Sequence, residues 1–136
     1  MNFKKFKEVK TPTRAYSNDA GLDLYLPEEI TLKPFETLCI GMGIGFDIPE
    51  GLCGIMMPRS SINKKGIVVG NAVIDCNYKG EIHLIIINCS GEYFHFQKDD
   101  RLCSIVFYHI STEELNEVED LGFSERNDKN FGSSGK

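Results

Sequence analysis

Between residues 38 and 48 every second side chain is apolar: Leu38, Ile40, Met42, Ile44, Phe46 and Ile48. Side chains of an extended chain alternate between two faces, so this period places one apolar face of a strand on a core. Gly41, Gly43 and Gly45 stand between them and leave the other face nearly bare. Such a face predicts bends or the close approach of another backbone. Pro49-Glu50-Gly51 stops the run.

Further strands follow the same logic. Leu22, Leu24 and Leu26 alternate before Pro27, and 52–57 lies between Gly51 and Pro58. Residues 67–69 are β-branched, 82–87 read as a strand buried on both faces, and 93–96 and 102–110 complete the set. Gly91 and Asp99-Asp100 supply turns. Many short, closely spaced strands predict an all-β chain, a sandwich, jelly roll or barrel. Helix is scarce: 60–66 predicts one or two turns with a serine N-cap and a glycine stop. Ser111-Thr112-Glu113-Glu114 has capping-box spacing, but Leu115, Glu117, Glu119 and Leu121 alternate, so that stretch suits helix and extended chain equally.

At 136 residues the chain is long enough to bury one core. We expect a β-domain over 1–121 and a flexible arm over 122–136, where Phe123 and Phe131 are the only large apolar side chains. The net charge of −5 makes non-specific nucleic-acid binding a poor prospect, since that needs a broad cationic face. A local concentration of cations at 59–65 still suits a small anionic ligand. No apolar run approaches a membrane span, and Met1-Asn2-Phe3-Lys4-Lys5 has no apolar stretch behind it to make a secretion signal. A membrane partner is therefore not expected. The expected location is the cytoplasm, or the nucleus in a eukaryotic or viral setting. The five cysteines are scattered singly, without metal-ligand spacing to the three histidines, and read as reduced thiols acting as small hydrophobes.

Four segments carry chemistry-grade composition. In Asp19-Ala20-Gly21-Leu22-Asp23-Leu24, Asp23 points away from the face its neighbours bury, as a solvated strand carboxylate would. Pro58-Arg59-Ser60-Ser61 offers a cation, hydroxyls and helix-start N–H groups to phosphate oxygens, or a plain capped turn with an exposed arginine. Residues 70–81, with glycine at both ends, fit a β-hairpin or tight double turn from which Asp75 and Tyr78 project. An aspartate there either closes the turn or orients a water and takes its proton, and a tyrosine ring can pack on an apolar ligand face. Finally, Arg126 and Phe131-Gly132-Ser133-Ser134-Gly135 combine a cation, a stacking ring and a phosphate-nest composition.

In this order the segments resemble the motifs of the trimeric dUTPase family: 20–24 the first, 58–61 the second, Val73-Ile74-Asp75 with Tyr78 and Gly80 the third, Asp100-Arg101-Leu102 part of the fourth, and Arg126 with 131–135 the fifth. The resemblance implies a distorted jelly-roll or β-barrel-like subunit in a homotrimer whose three subunits share three active sites. It implies hydrolysis of dUTP to dUMP and pyrophosphate, limiting uracil incorporation into DNA and supplying dUMP for dTMP synthesis. Asp75 would orient the water attacking the α-phosphorus, and Tyr78 would pack on the deoxyribose and exclude a ribose. Backbone around Ala72, Val73 and Ile74, with His83 behind it, would read uracil. Arg59, Ser60 and Ser61 would hold the phosphates. Asp23 would hold waters of a Mg²⁺ chelated by the triphosphate. Arg126 would grip the γ-phosphate, while Phe131, Gly132, Ser133 and Ser134 would close over the site as a lid.

The chain departs from the family pattern at Ser104, where glutamine is usual, at Ala72, where glycine is usual, and at Asn77, where an acidic residue or serine is common. In the tail, Asn127 and Asn130 replace glycines. Two rivals compete. A dCTP deaminase on the same fold would need a general acid/base beside the ring, for which Glu81 is the nearby candidate. A non-catalytic binding module would keep the fold alone, and the complete acidic and basic set argues against it.

Overall fold

The computed structural model describes residues 1–126; the predictions for Phe131, Gly132, Ser133 and Ser134, and the changes at Asn127 and Asn130, lie outside them. Ten strands and one short helix follow in order: β1 (Phe3–Lys5), β2 (Leu22–Leu24), β3 (Ile30–Leu32), β4 (Thr37–Gly41), β5 (Ile44–Phe46), β6 (Leu52–Pro58), α1 (Ser60–Asn63), β7 (Ile67–Val69), β8 (His83–Asn88), β9 (Phe94–Phe96) and β10 (Cys103–His109). They form small antiparallel sheets, β2-β10-β6, β4-β8-β7, β1-β5 and β3-β9. Together they make a jelly-roll-like, nearly all-β fold.

The 38–48 alternation does bury its apolar set: Ile40, Met42, Ile44, Phe46 and Ile48 are all in the core. It is two strands, however, not one. Gly43 has φ +71, a left-handed conformation that glycine adopts without a Cβ penalty, and the chain bends there from β4 into β5. Ile82 spans the break, accepting from Met42 N and donating to Ile44 O, both at 2.8 Å. The bare glycine face receives another backbone, as its composition predicts. A Cβ on Gly45 would overlap the Gly80 carbonyl oxygen, and one on Gly41 would strike the Glu81 carboxylate.

Strand β8 differs from the expectation of burial on both faces. Leu84 and Ile86 are fully buried, Ile85 and Ile87 only partly, and His83 is exposed, because a single β-sheet layer has one face on this core. The sequence reading also missed β1 and β3, three-residue strands too short for a periodic signal. At α1 the N-cap is Arg59, without a side-chain cap, rather than a serine; the glycine stop holds, with Gly66 at φ +80. Residues 111–121 carry neither helix nor strand and are exposed along their length. All five cysteines are free, and burial pushes the Cys103 thiol up to about 12, with the charge of Asp23 adding to it, so it stays protonated and inert.

Candidate active site

Strands β7 and β8 pair as a hairpin, and residues 70–82 form its long connection. The 70–81 segment, for which the sequence left a hairpin or a tight double turn open, is thus a loop that contains a turn at Asp75–Tyr78 and is held from outside at several points. Gly70 N donates to Ile85 O at 2.9 Å, the last main-chain link before the strands part. Beyond it the Asn71 side chain takes over, donating to His83 O at 2.6 Å and accepting from Ile85 N at 2.9 Å. Ile74 is bridged to Gly54 of β6 by two main-chain bonds of 2.9 Å. Tyr78 N closes a turn on Asp75 O at 3.1 Å, and the Tyr78 hydroxyl donates to Glu81 O at 2.6 Å.

Spreading the loop from β8 opens a cavity of about 270 Å³ between them. Its wall includes Ala72, Val73, Ile74, Asp75, Tyr78 and His83, six residues the sequence singled out, and also Asn71 and Ile85. Its size is near the lower end for small-molecule sites, ~300 Å³. His83 Nδ1 lies 3.1 Å from Glu81 O. A carbonyl only accepts, so that nitrogen carries a proton in this contact. Asn71 lies within the 70–81 segment, whose composition assigns it no role; the amide next to Gly70 is the signal that would find it.

Glu81, the residue a deaminase would need, is not on this wall. Its Oε1 accepts from Gly43 N at 2.7 Å and lies 3.4 Å from Lys7 Nζ. Partial burial raises its pKa, but the Gly43 N–H and the Lys7 and His83 charges outweigh that and hold it below the ordinary value, so it stays ionised and tied.

A second cluster forms around Asp23. It is only 8% exposed, so it is not the solvated carboxylate that its alternation suggested. Antiparallel pairing sets Ser104 directly opposite it, and Ser104 Oγ donates to Asp23 Oδ1 at 3.0 Å. Arg101 Nη1 donates to Asp23 Oδ2 at 3.0 Å, and Arg59 Nε lies 3.8 Å from Oδ1. Two guanidiniums brought together by one carboxylate make a cationic ledge suited to phosphate oxygens. Ser60 and Ser61 lie beside it on the first turn of α1, both exposed. Arg101 belongs to the Asp100-Arg101-Leu102 match to the fourth family motif, to which the sequence assigns no role; its position after the Asp99-Asp100 turn is the signal for it. A cavity of about 330 Å³ adjoins Arg59 and Arg101 and shares no lining residue with the Asp75 cavity. Arg126 is exposed at the end of the described chain.

Among the described residues no group of three or more His, Cys, Asp or Glu side chains could cage a metal ion. Asp23 Oδ1 and Oδ2 each accept one side-chain hydrogen bond, and a carboxylate oxygen has about two acceptor sites, so the group has capacity left for a water of a hydrated Mg²⁺.

Comparison with known proteins gives the family. The dUTPase family model matches residues 7–135. The deoxyuridine 5'-triphosphate nucleotidohydrolase of Variola virus is 38% identical over 133 residues, covering 97% of this chain and 90% of its own. That of Corynebacterium jeikeium is 36% identical over 136 residues, covering 95% and 88%. The structure of Staphylococcus bacteriophage 80alpha dUTPase with dUPNHPP superposes with a TM-score of 0.92 at 28% identity, covering 99% of this chain and 98% of that one. A variant dUTPase of phage phi11 of S. aureus, TM-score 0.83 and 26% identical over 90% of this chain and 98% of its own, is described with a structural Mg(II) ion. With the family model matching residues 7–135 and relatives of this identity matching nearly the whole chain, the chain belongs to the dUTPase family.

Proposed function

We propose that the protein hydrolyses dUTP to dUMP and pyrophosphate, with Asp75 orienting the attacking water. The observation that carries this reading is the Asp75–Tyr78 turn, which lines one cavity together with Ala72, Val73, Ile74 and His83. Uracil enters the slot between 71–74 and β8 and is read by main-chain groups; a slot this narrow disfavours the thymine methyl. Tyr78, its hydroxyl anchored on Glu81 O, presents its ring to the deoxyribose and leaves no room for a 2′-hydroxyl. Asp75 accepts the proton of the water as it attacks the α-phosphorus. Arg59, Ser60 and Ser61 hold the phosphates and stabilise charge on the leaving pyrophosphate.

Mg²⁺ bound to the triphosphate would supply charge neutralisation, and Asp23 would accept hydrogen bonds from its waters. The role of arm 122–136, with Arg126 on the γ-phosphate and Phe131 to Ser134 closing over the base, belongs to the same proposal. So do its consequences, dUMP for dTMP synthesis and less uracil in DNA.

The family resemblance makes the assembly a homotrimer with shared sites. Within one chain the Asp75 cavity and the Arg59 ledge line separate cavities, which supports a site completed between subunits. Leu115, Leu121 and Phe123, 101%, 97% and 88% exposed in the single chain, provide apolar surface for such contacts. The tied carboxylate of Glu81 leaves the deaminase reading without its acid/base.

The test is turnover of dUTP, UTP, dTTP and dCTP by the purified protein, with pyrophosphate and ammonia measured separately alongside solution mass. Pyrophosphate from dUTP alone, from a trimer, is the expected result; ammonia from dCTP would overturn it. Asp75→Asn should lose at least ~10³-fold in kcat while still binding a non-hydrolysable dUTP analogue.

A further inference from the structure

We propose that Lys79 and Asp47 are a positioning pair for Asp75, a clamp that fixes the catalytic turn independently of the cavity wall. The inference rests on the dUTPase reading above. Lys79 Nζ donates to the Cys76 carbonyl oxygen at 2.8 Å, one peptide beyond Asp75, and at the same time to Asp47 Oδ1. Asp47 is itself fixed, since its N–H donates to Asn2 O at 2.9 Å just past the end of β5, where β1 pairs. The Lys79 hydrogen bond and charge hold the Asp47 carboxyl below its ordinary pKa, so the acceptor stays ionised. Next to the clamp, the Gly80 carbonyl oxygen stands where a Cβ on Gly45 would lie, and a Cβ on Gly80 would meet the Tyr78 ring and hydroxyl.

The loop therefore has two sets of supports. Asn71 and Ile74 fasten the cavity wall to β8 and β6, and the Tyr78 hydroxyl is fastened to Glu81 O. The turn that carries Asp75 is closed by Tyr78 N and tied to the rest of the subunit through Lys79. Losing the clamp should leave base and sugar contacts in place but let the carboxylate drift from the line of attack. Misplacement of a reacting group by about 1 Å costs as much as ~10²-fold in rate. The signature is a fall in kcat per folded site, the sites being counted by binding of a non-hydrolysable dUTP analogue, with little change in KM; loss of general stability would lower the count of sites and leave kcat per site unchanged.

The full-length protein, and its Lys79→Met, Lys79→Arg, Asp47→Ala and Lys79→Met/Asp47→Ala variants, should be assayed with dUTP at neutral pH. We expect Lys79→Met and Asp47→Ala each to lower kcat roughly 10-fold with KM within about 3-fold. The double variant should be no slower than either single one, because both remove the same contact, and Lys79→Arg should recover most of the rate. A kcat for Lys79→Met close to that of the parent, losses that multiply in the double variant, or a rise in KM alone would overturn the proposal. If Lys79→Met fails to fold, Asp47→Ala, which leaves the loop sequence intact, decides by the same kcat-to-KM criterion. A parent protein that releases no pyrophosphate from dUTP would instead refute the functional reading beneath it.

Discussion

Asn88 at the end of β8 is fully buried, and its amide uses its full hydrogen-bonding capacity. Nδ2 donates to Lys33 O at 2.9 Å and Glu92 O at 2.7 Å, while Oδ1 accepts from Ser90 N at 3.0 Å and Ser90 Oγ at 2.8 Å. One side chain thus ties the turn before β4 to the turn before β9. Asn88→Ala deletes all four bonds; at ~1 kcal/mol net each the gross loss is about 4 kcal/mol. Lys33 and Glu92 sit on exposed turns where water can replace part of that, so we expect about 2–4 kcal/mol. Urea unfolding at fixed protein concentration measures this, with concentration fixed because any oligomer adds a mass-action term. Asn88→Asp tests the directions of the bonds. It keeps the shape but turns an acceptor oxygen toward two carbonyls, so at pH 7 it should be at least as damaging as alanine. The introduced carboxyl, unable to ionise comfortably there, has a folded pKa raised above its unfolded value of about 3.9. Its penalty is therefore absent below the unfolded pKa and grows as pH rises through the folded pKa, so acidification from pH 7 toward 4 should narrow its gap to the parent. An Asn88→Ala cost below about 1 kcal/mol, or an Asn88→Asp protein as stable as the parent at pH 7, would refute the reasoning.

Other outcomes follow from single features of the fold. Gly45→Ala should destabilise by about 3 kcal/mol or more, since the group it meets is the Gly80 backbone, which cannot rotate away; thermal melting will show it. Phe35 is 73% exposed at φ 56, so Phe35→Gly sheds a left-handed penalty of ~1–2 kcal/mol, against a glycine entropy cost of ~0.5–1 kcal/mol, and should leave stability equal or higher. The Asp47 and Glu81 carboxyls both have folded pKa values below their ordinary 3.8 and 4.5, so the stability they contribute is present above those values and lost as pH falls below them. Acid unfolding of Glu81→Gln should accordingly be less steep below about pH 4.5 than that of the parent.

The sequence by itself determined the strand-rich fold and the order of its chemical segments. Period-two alternation is a local property of an extended chain, so Ile40, Met42, Ile44, Phe46 and Ile48 declared their core face without any partner in view. The glycines between them foretold the seat now filled by Gly80. Segment composition also picked out Asp75 and Tyr78 on the wall of the cavity, and the family resemblance Ala72, Val73, Ile74 and His83, while Asn71, Ile82 and Ile85 came only with the structure. What the sequence left open depended on which strands become neighbours. Asp23 reads as solvated along its own strand, yet β10 brings Ser104 and Arg101 to it, and the end of β6 brings Arg59. Glu81 reads as a base beside the loop, yet the bend at Gly43 presents an N–H that draws it away. The loop over 70–82 reads as a hairpin or tight double turn in itself, but β7 and β8 make the hairpin, and Asn71, Ile74 and Lys79 hold the loop against three different strands or their ends. Such contacts join residues far apart in the chain, and a hydrogen bond across that separation leaves no periodic trace in sequence. Only the tertiary structure, by choosing the neighbours, decided them.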